Sequence, residues 1–133
     1  MSVEAGLSLA AVIVMHEMLL ERFGGMPGIT EQGFGKLDAA LAAPEHSIFG
    51  EDLYPDITSK AAILFWGLVR AHALTDGNKR VALVALLHML ERNGLRIAAA
   101  DDELFDFVMA ASDDMPGEAV RAWIAEHLLP EHA

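Results

Sequence analysis

Two segments of this chain are apolar on almost every side, and they limit what it can fold into. One holds Ala61, Ala62, Ile63, Leu64, Phe65, Trp66, Leu68 and Val69; the other runs from Val81 to Leu87 and adds Met89 and Leu90. A helix that is hydrophobic all round must sit at the centre of a protein rather than on its surface. Ala, Leu, Met and Glu are abundant throughout, and no stretch alternates Val, Ile or Thr with polar residues, so the chain reads as helical. The expected fold is an all-α bundle of about six helices, with these two segments inside.

The rest of the chain supplies boundaries. A first helix is expected from Val3 to Arg22, stopped by Gly24, Gly25, Pro27 and Gly28. Thr30 is a candidate cap for a second helix that ends near Ala43, before Pro44. Residues 44–56 contain Pro44, Gly50 and Pro55, show no helical period, and form the longest irregular stretch. Asp56 suits the N-cap of a third helix, Ile57 to about Leu74, and Asp76 that of a fourth, from Gly77 to Arg92, closed by Asn93-Gly94. Asp101 and Asp102 precede a fifth helix, where the helix dipole favours acids. Pro116 fits the first turn of a sixth that ends near Leu129. No linker is long enough to divide the 133 residues, so 1–133 is expected to form one domain.

Charge narrows function. Twenty acidic against nine basic residues give a formal net charge of −11. Broad nucleic-acid binding requires a basic face, so direct contact with DNA or RNA is not expected. Cysteine is absent, which excludes disulfides and thiolate metal sites. The apolar stretch near the N-terminus, Gly6 to Met15, lacks a basic flank and a cleavage site, and is too short to cross a bilayer. A cytoplasmic protein without a membrane partner is expected.

Between the two apolar helices lies His72-Ala-Leu-Thr-Asp76-Gly77-Asn78-Lys79-Arg80. A helix starting near Gly77 directs free backbone N–H groups, and the positive end of its dipole, at the preceding turn. Gly77 lets a ligand approach the backbone. Lys79 and Arg80 add positive charge in the first turn, completing a cradle for phosphate. Asp76 is an oxygen ligand of the kind Mg²⁺ takes when it also binds nucleotide phosphates. His72 can accept a proton from an incoming hydroxyl. Base, metal ligand, cradle and cations are the parts needed to transfer a phosphoryl or nucleotidyl group.

This nine-residue segment resembles the H-x-F-x-D-G-N-K-R signature of Doc, the "death on curing" branch of the Fic superfamily. Met15-His16-Glu17, Phe23-Gly24-Gly25, Gly28-Ile29, Lys60-Ala61-Ala62 and Asn93-Gly94 are similar to the corresponding Doc segments. The resemblance implies a Fic/Doc-type helical bundle with a flap at residues 44–56 that docks the target's chain. It implies that His72, Asp76, Lys79 and Arg80 are catalytic. His72 would be the general base, Asp76 would hold Mg²⁺ on ATP, and Gly77, Asn78, Lys79 and Arg80 would contact the nucleotide. Lys79 stands where the AMP-transferring branch has glycine, and Leu83 where that branch has a second arginine. Both favour a phosphate-transferring toxin, similar to a kinase that modifies a threonine of elongation factor Tu and halts translation. A cognate antitoxin, whose disordered C-terminal segment folds onto the toxin, is the implied partner. AMP transfer, or a catalytically silent partner-binding module, is the alternative. Leu74 replaces the usual Phe and Ala71 a common Asn. Ser47-x-x-x-Glu51-Asp52 matches an internal inhibitory motif only approximately.

Other residues read as structural. His16 is expected at the core or its boundary and His88 as a hydrogen-bonded core residue, whereas His127 and His132 are expected at the surface. Phe65, Trp66, Met15, Met18, Met89 and Met109 are expected to fill the core.

Overall fold

The computed structural model describes residues 6–132. Six α-helices occur among them: α1 (Leu9–Phe23), α2 (Gly33–Ala42), α3 (Ile57–Ala71), α4 (Asn78–Arg92), α5 (Asp101–Ser112) and α6 (Gly117–His127). Helix α3 is the hub and packs against α2, α4, α5 and α6. Leu64, Phe65 and Val69 of α3, and Ala82, Leu86 and Leu90 of α4, are essentially inaccessible to solvent. The two apolar segments are therefore central, as their patterning requires. From Phe65 an aromatic stack continues outward through Phe107 and Trp123 to His127, with centroid separations of 5.2, 3.8 and 3.9 Å. This stack ties α3, α5 and α6 together. Trp66 is half-buried and its Nε1 donates to the Met115 carbonyl.

Several boundaries differ from the sequence expectation. Helix α1 starts at Leu9 because the Ser8 hydroxyl accepts the Ala11 N–H at 3.0 Å, an N-cap that fixes the first turn. Of the expected earlier residues, Val3 to Ala5 lie outside the described residues. Thr30 does not cap α2: its hydroxyl donates to the Ala73 carbonyl and its backbone N–H donates to the same oxygen. Helix α3 ends at Ala71 rather than Leu74. Helix α6 stops at His127 because Leu128–Pro130 turns extended and pairs with Leu95–Ile97, the two antiparallel strands β4 and β3. His127 is consequently half-buried on Trp123, not exposed, and its Nδ1 lies 2.7 Å from the Trp123 carbonyl.

Residues 44–56 are more ordered than their composition implies. A short 3₁₀ turn, Ala43–Glu45, leads into a hairpin of β1 (Ser47–Ile48) and β2 (Glu51–Asp52). Phe49 and Gly50 at its tip both have positive φ, the requirement of a tight primed turn. The hairpin is held at its root by Lys60. That side chain is 6 % exposed, donates to the Pro44 carbonyl at 2.8 Å and lies 4.0 Å from the Asp52 carboxylate. Asp56 caps α3 as expected, accepting the Ser59 N–H at 2.7 Å. That hydrogen bond holds its carboxyl below the usual aspartate value.

Candidate active site

His72 ends α3 in the left-handed region, at φ 49° and ψ 42°. This conformation costs a non-glycine residue of order 1–2 kcal/mol, and such outliers gather where a site dictates backbone direction. The turn sends Ala73 and Leu74 back into the core, where both are buried, and leaves the imidazole exposed.

The loop from Leu74 to Asn78 is then fastened from four sides. The Asn78 side chain accepts the Leu74 N–H at 3.0 Å and donates to the Leu74 carbonyl at 2.9 Å, closing the loop on itself. Asp76 uses both carboxylate oxygens: Oδ1 accepts the Gly77 N–H at 2.8 Å and Oδ2 the Met26 N–H at 3.1 Å. The Thr75 N–H donates to the Gly28 carbonyl, and Ile29 bridges to Leu74. From below, His16 of α1, only 5 % exposed, places Nε2 2.8 Å from the Asp76 carbonyl. The acceptor is a carbonyl, so this ring nitrogen carries the proton.

Gly77 occupies the N-cap of α4 with φ 85°, a conformation that glycine adopts without strain. The first helical bond runs from the Val81 N–H to the Gly77 carbonyl. The amides of Asn78, Lys79 and Arg80 therefore precede the helical ladder and, with the dipole, present positive potential at the helix end. They meet His72 and Asp76 around one open cavity of about 460 Å³, completed by Phe23, Gly24 and Gly25. The Arg80 guanidinium rests over the Phe23 ring, 5.0 Å from its centroid.

Every residue singled out from the sequence, from His72 through Arg80, thus converges on one cavity, with three corrections. First, His72, Asp76, Lys79 and Arg80 are exposed at the ends of the apolar helices, not buried between them. Second, the cap position belongs to Gly77, and the Gly77 N–H is taken by Asp76. The available cradle amides begin at Asn78. Third, the Asn78 side chain is spent on the loop, leaving its backbone N–H to face a ligand.

Two contributors were read differently from sequence. His16 is buried, as expected, but its polar edge serves the motif loop. Gly25, read as a helix stop, has φ 119°, and a Cβ there would lie 2.7 Å from Asp76 Oδ2. Its close approach to the carboxylate could only be seen in three dimensions. Elsewhere, Met89 is buried and Met15 half-buried, whereas Met18 and Met109 are exposed. His88 is half-buried and has no side-chain hydrogen bond among the described residues.

An all-helical body that presents an imidazole, a carboxylate and a cationic helix N-terminus to one cavity has the site of an anion-handling transferase. The chain belongs to the Fic/DOC family, on its Doc branch: the family model matches residues 6–90. It is 41% identical over 96 residues to a protein named Toxin Doc from Mycolicibacterium smegmatis (strain ATCC 700084 / mc(2)155), an alignment covering 72% of this chain and 68% of that relative. It is 29% identical over 101 residues to Protein kinase doc of Escherichia phage P1, covering 76% and 77% of the two chains. No helix of the described residues is long and apolar enough to cross a membrane.

Proposed function

We propose that this chain is a Doc-like toxin that transfers phosphate from ATP to a hydroxyl of a protein target. The observation that carries the reading is the shared cavity. A proton acceptor, an oxygen ligand and unpaired helix N-terminal amides meet there with two cations. The relatives' names, a toxin and a protein kinase, supply the direction of the chemistry.

The step balances simply. The target hydroxyl oxygen bonds to the γ-phosphorus of ATP, and the bond from that phosphorus to the β,γ-bridging oxygen breaks, releasing ADP. His72 takes the hydroxyl proton and later returns it to solvent. The Asn78, Lys79 and Arg80 amides and the two cationic side chains hold the phosphates against charge repulsion. Lys79 fills, with a point charge, space that a glycine would leave open.

Mg²⁺ fits the residues present. Among the described residues no cluster of three or more His, Cys, Asp or Glu could hold a metal alone. Asp76, however, has lone pairs left on both oxygens after accepting two amides. One carboxylate plus substrate phosphates and water is the usual Mg²⁺ arrangement. Bound there, the ion would neutralise phosphate charge.

The hairpin at 47–52 is the proposed dock for the target, an elongation factor Tu-like protein, and a cognate antitoxin is the proposed restraint. The test incubates the protein with labelled ATP, Mg²⁺ and a cell extract, with His72→Ala as control. Mass spectrometry of the labelled band should show a phosphate increment on Ser, Thr or Tyr, absent with His72→Ala. A nucleotide increment would instead establish AMP transfer. Label transfer undiminished by His72→Ala would remove His72 from the mechanism.

A further inference from the structure

His72 lines an open groove between α2 and α3 as well as the site cavity; the groove holds about 480 Å³. The two helices run antiparallel along it. Thr30, just before α2, bonds to the Ala73 carbonyl just after α3, and a Cβ on Gly67 would meet Ala40 at 3.4 Å. Lys36 and Ala71 therefore stand at the His72 end, and Ala43 and Ile63 at the other. Ile63 to Ala71 spans about 12 Å of helix, the length of roughly three or four residues of extended chain. Ala43 also opens the 3₁₀ turn that leads into the β1–β2 hairpin. The groove thus runs from the turn before the hairpin to the catalytic base.

Its charge is opposite to that of the whole chain. The net charge is −11, yet each ionisable residue that lines the groove, Lys36, Arg70 and His72, is basic. Arg70 is already engaged. It donates to the Asp113 carbonyl at 2.7 Å and lies over the Trp66 ring, 5.2 Å from its centroid, bracing the aromatic wall of the groove. Lys36 is exposed and enters no salt bridge among the described residues.

We infer that Lys36 determines specificity: the groove holds the target's own chain beside the acceptor hydroxyl, and Lys36 selects an acidic side chain within two residues of that hydroxyl. The inference rests on the phosphotransfer reading above, which brings the hydroxyl to His72. A target segment laid along the groove carries its residues next to the acceptor past Lys36, and its more distant ones to Ile63 and Trp66. Charge complementarity names the occupant. An acidic segment gains an ammonium partner here and meets no carboxylate on the groove, whereas a basic segment meets Lys36 and Arg70 with like charge.

The test measures label transfer from ATP, with Mg²⁺, to a positional-scanning library of Ser- and Thr-containing peptides. The enzymes are the full chain as wild type, Lys36→Met and Lys36→Glu. At one position within two residues of the acceptor, wild type should favour Asp over Asn by about twofold to fivefold at low salt, the worth of an exposed ion pair. Lys36→Met should erase that preference and Lys36→Glu should turn it toward Lys. Salt at about 1 M should flatten it, because the Debye length falls to about 3 Å. A merely structural role for Lys36 would change the rate without exchanging the preferred charge. If Lys36→Glu keeps the wild-type preference, or wild type shows none, the inference is overturned. If proteins of a cell extract are labelled and no peptide is, the groove does not read the chain beside the acceptor, and the inference fails while phosphotransfer stands. If neither is labelled, both readings fall together. Melting curves followed by circular dichroism verify that both variants are folded.

Discussion

Replacing His16 with leucine tests whether a buried hydrogen bond sets the geometry of the site. Leucine is close in size but apolar, and it cannot donate to the Asp76 carbonyl, 2.8 Å from Nε2 in the native protein. The carbonyl then faces a buried apolar group. An unsatisfied buried acceptor costs about 1–3 kcal/mol, which is the upper range for this part-buried carbonyl. For a chain of 133 residues that is a fall in melting temperature of roughly 3–12 °C. Activity should fall further than stability accounts for, because the same peptide plane carries the Asp76 carboxylate and aims the start of α4. Glutamine places an amide N–H near the Nε2 position, so His16→Gln should recover most of both losses. The assays are thermal unfolding by circular dichroism and label transfer from ATP, measured well below each variant's melting point. If His16→Leu melts and transfers as wild type does, or His16→Gln is as damaged as His16→Leu, the hydrogen bond is not what positions the loop.

Gly25→Ala places a methyl at φ 119° and within 2.7 Å of Asp76 Oδ2, so the carboxylate must shift; transfer and its Mg²⁺ dependence should drop at least tenfold while helix content by circular dichroism is kept. Asp56→Ala removes the α3 cap and should cost about 0.5–2 kcal/mol in urea unfolding, whereas Asp56→Asn keeps a capping oxygen. The carboxyl of Asp56 is held below its ordinary value, so its charge stabilises the fold fully above the unfolded value near 4 and loses that contribution as pH falls through the lower folded value. The gap between wild type and Asp56→Asn should therefore close on acidification below about pH 4 and stay constant above pH 5; a gap independent of pH would refute this. Lys60→Met frees the hairpin from the Pro44 carbonyl and Asp52; KM for the protein target should rise several-fold, with ATP-analogue affinity unchanged by calorimetry.

The helical core was legible because its signal is local. A continuous apolar run on α3 and α4 has one physical outcome, and Asp56 caps α3 where its residue type says it should. The motif residues were legible as a set, since a glycine followed by Asn-Lys-Arg at a helix start carries its own electrostatics. What escaped depended on partners far along the chain. Thr30 resembles a cap in sequence, but the Ala73 carbonyl, 43 residues away, takes its hydroxyl. The hairpin at 47–52 has Phe-Gly at its turn instead of the Asn-Gly that marks such turns. The β3–β4 pair joins residues on either side of two helices, beyond any periodicity. His16 looks like any core histidine until the Asp76 carbonyl, 60 residues on, is placed beside it.

The imidazole and carboxylate of the site stand open to bulk solvent. A transferase built this way has no lid of its own among the described residues to keep water from competing with the acceptor hydroxyl. On the proposed reading, the docked target is what dries the reaction, covering His72 and lowering the local dielectric only when an acceptor is in place. Idle hydrolysis of ATP is then restrained by the fact that the wet form of the enzyme is a poor one.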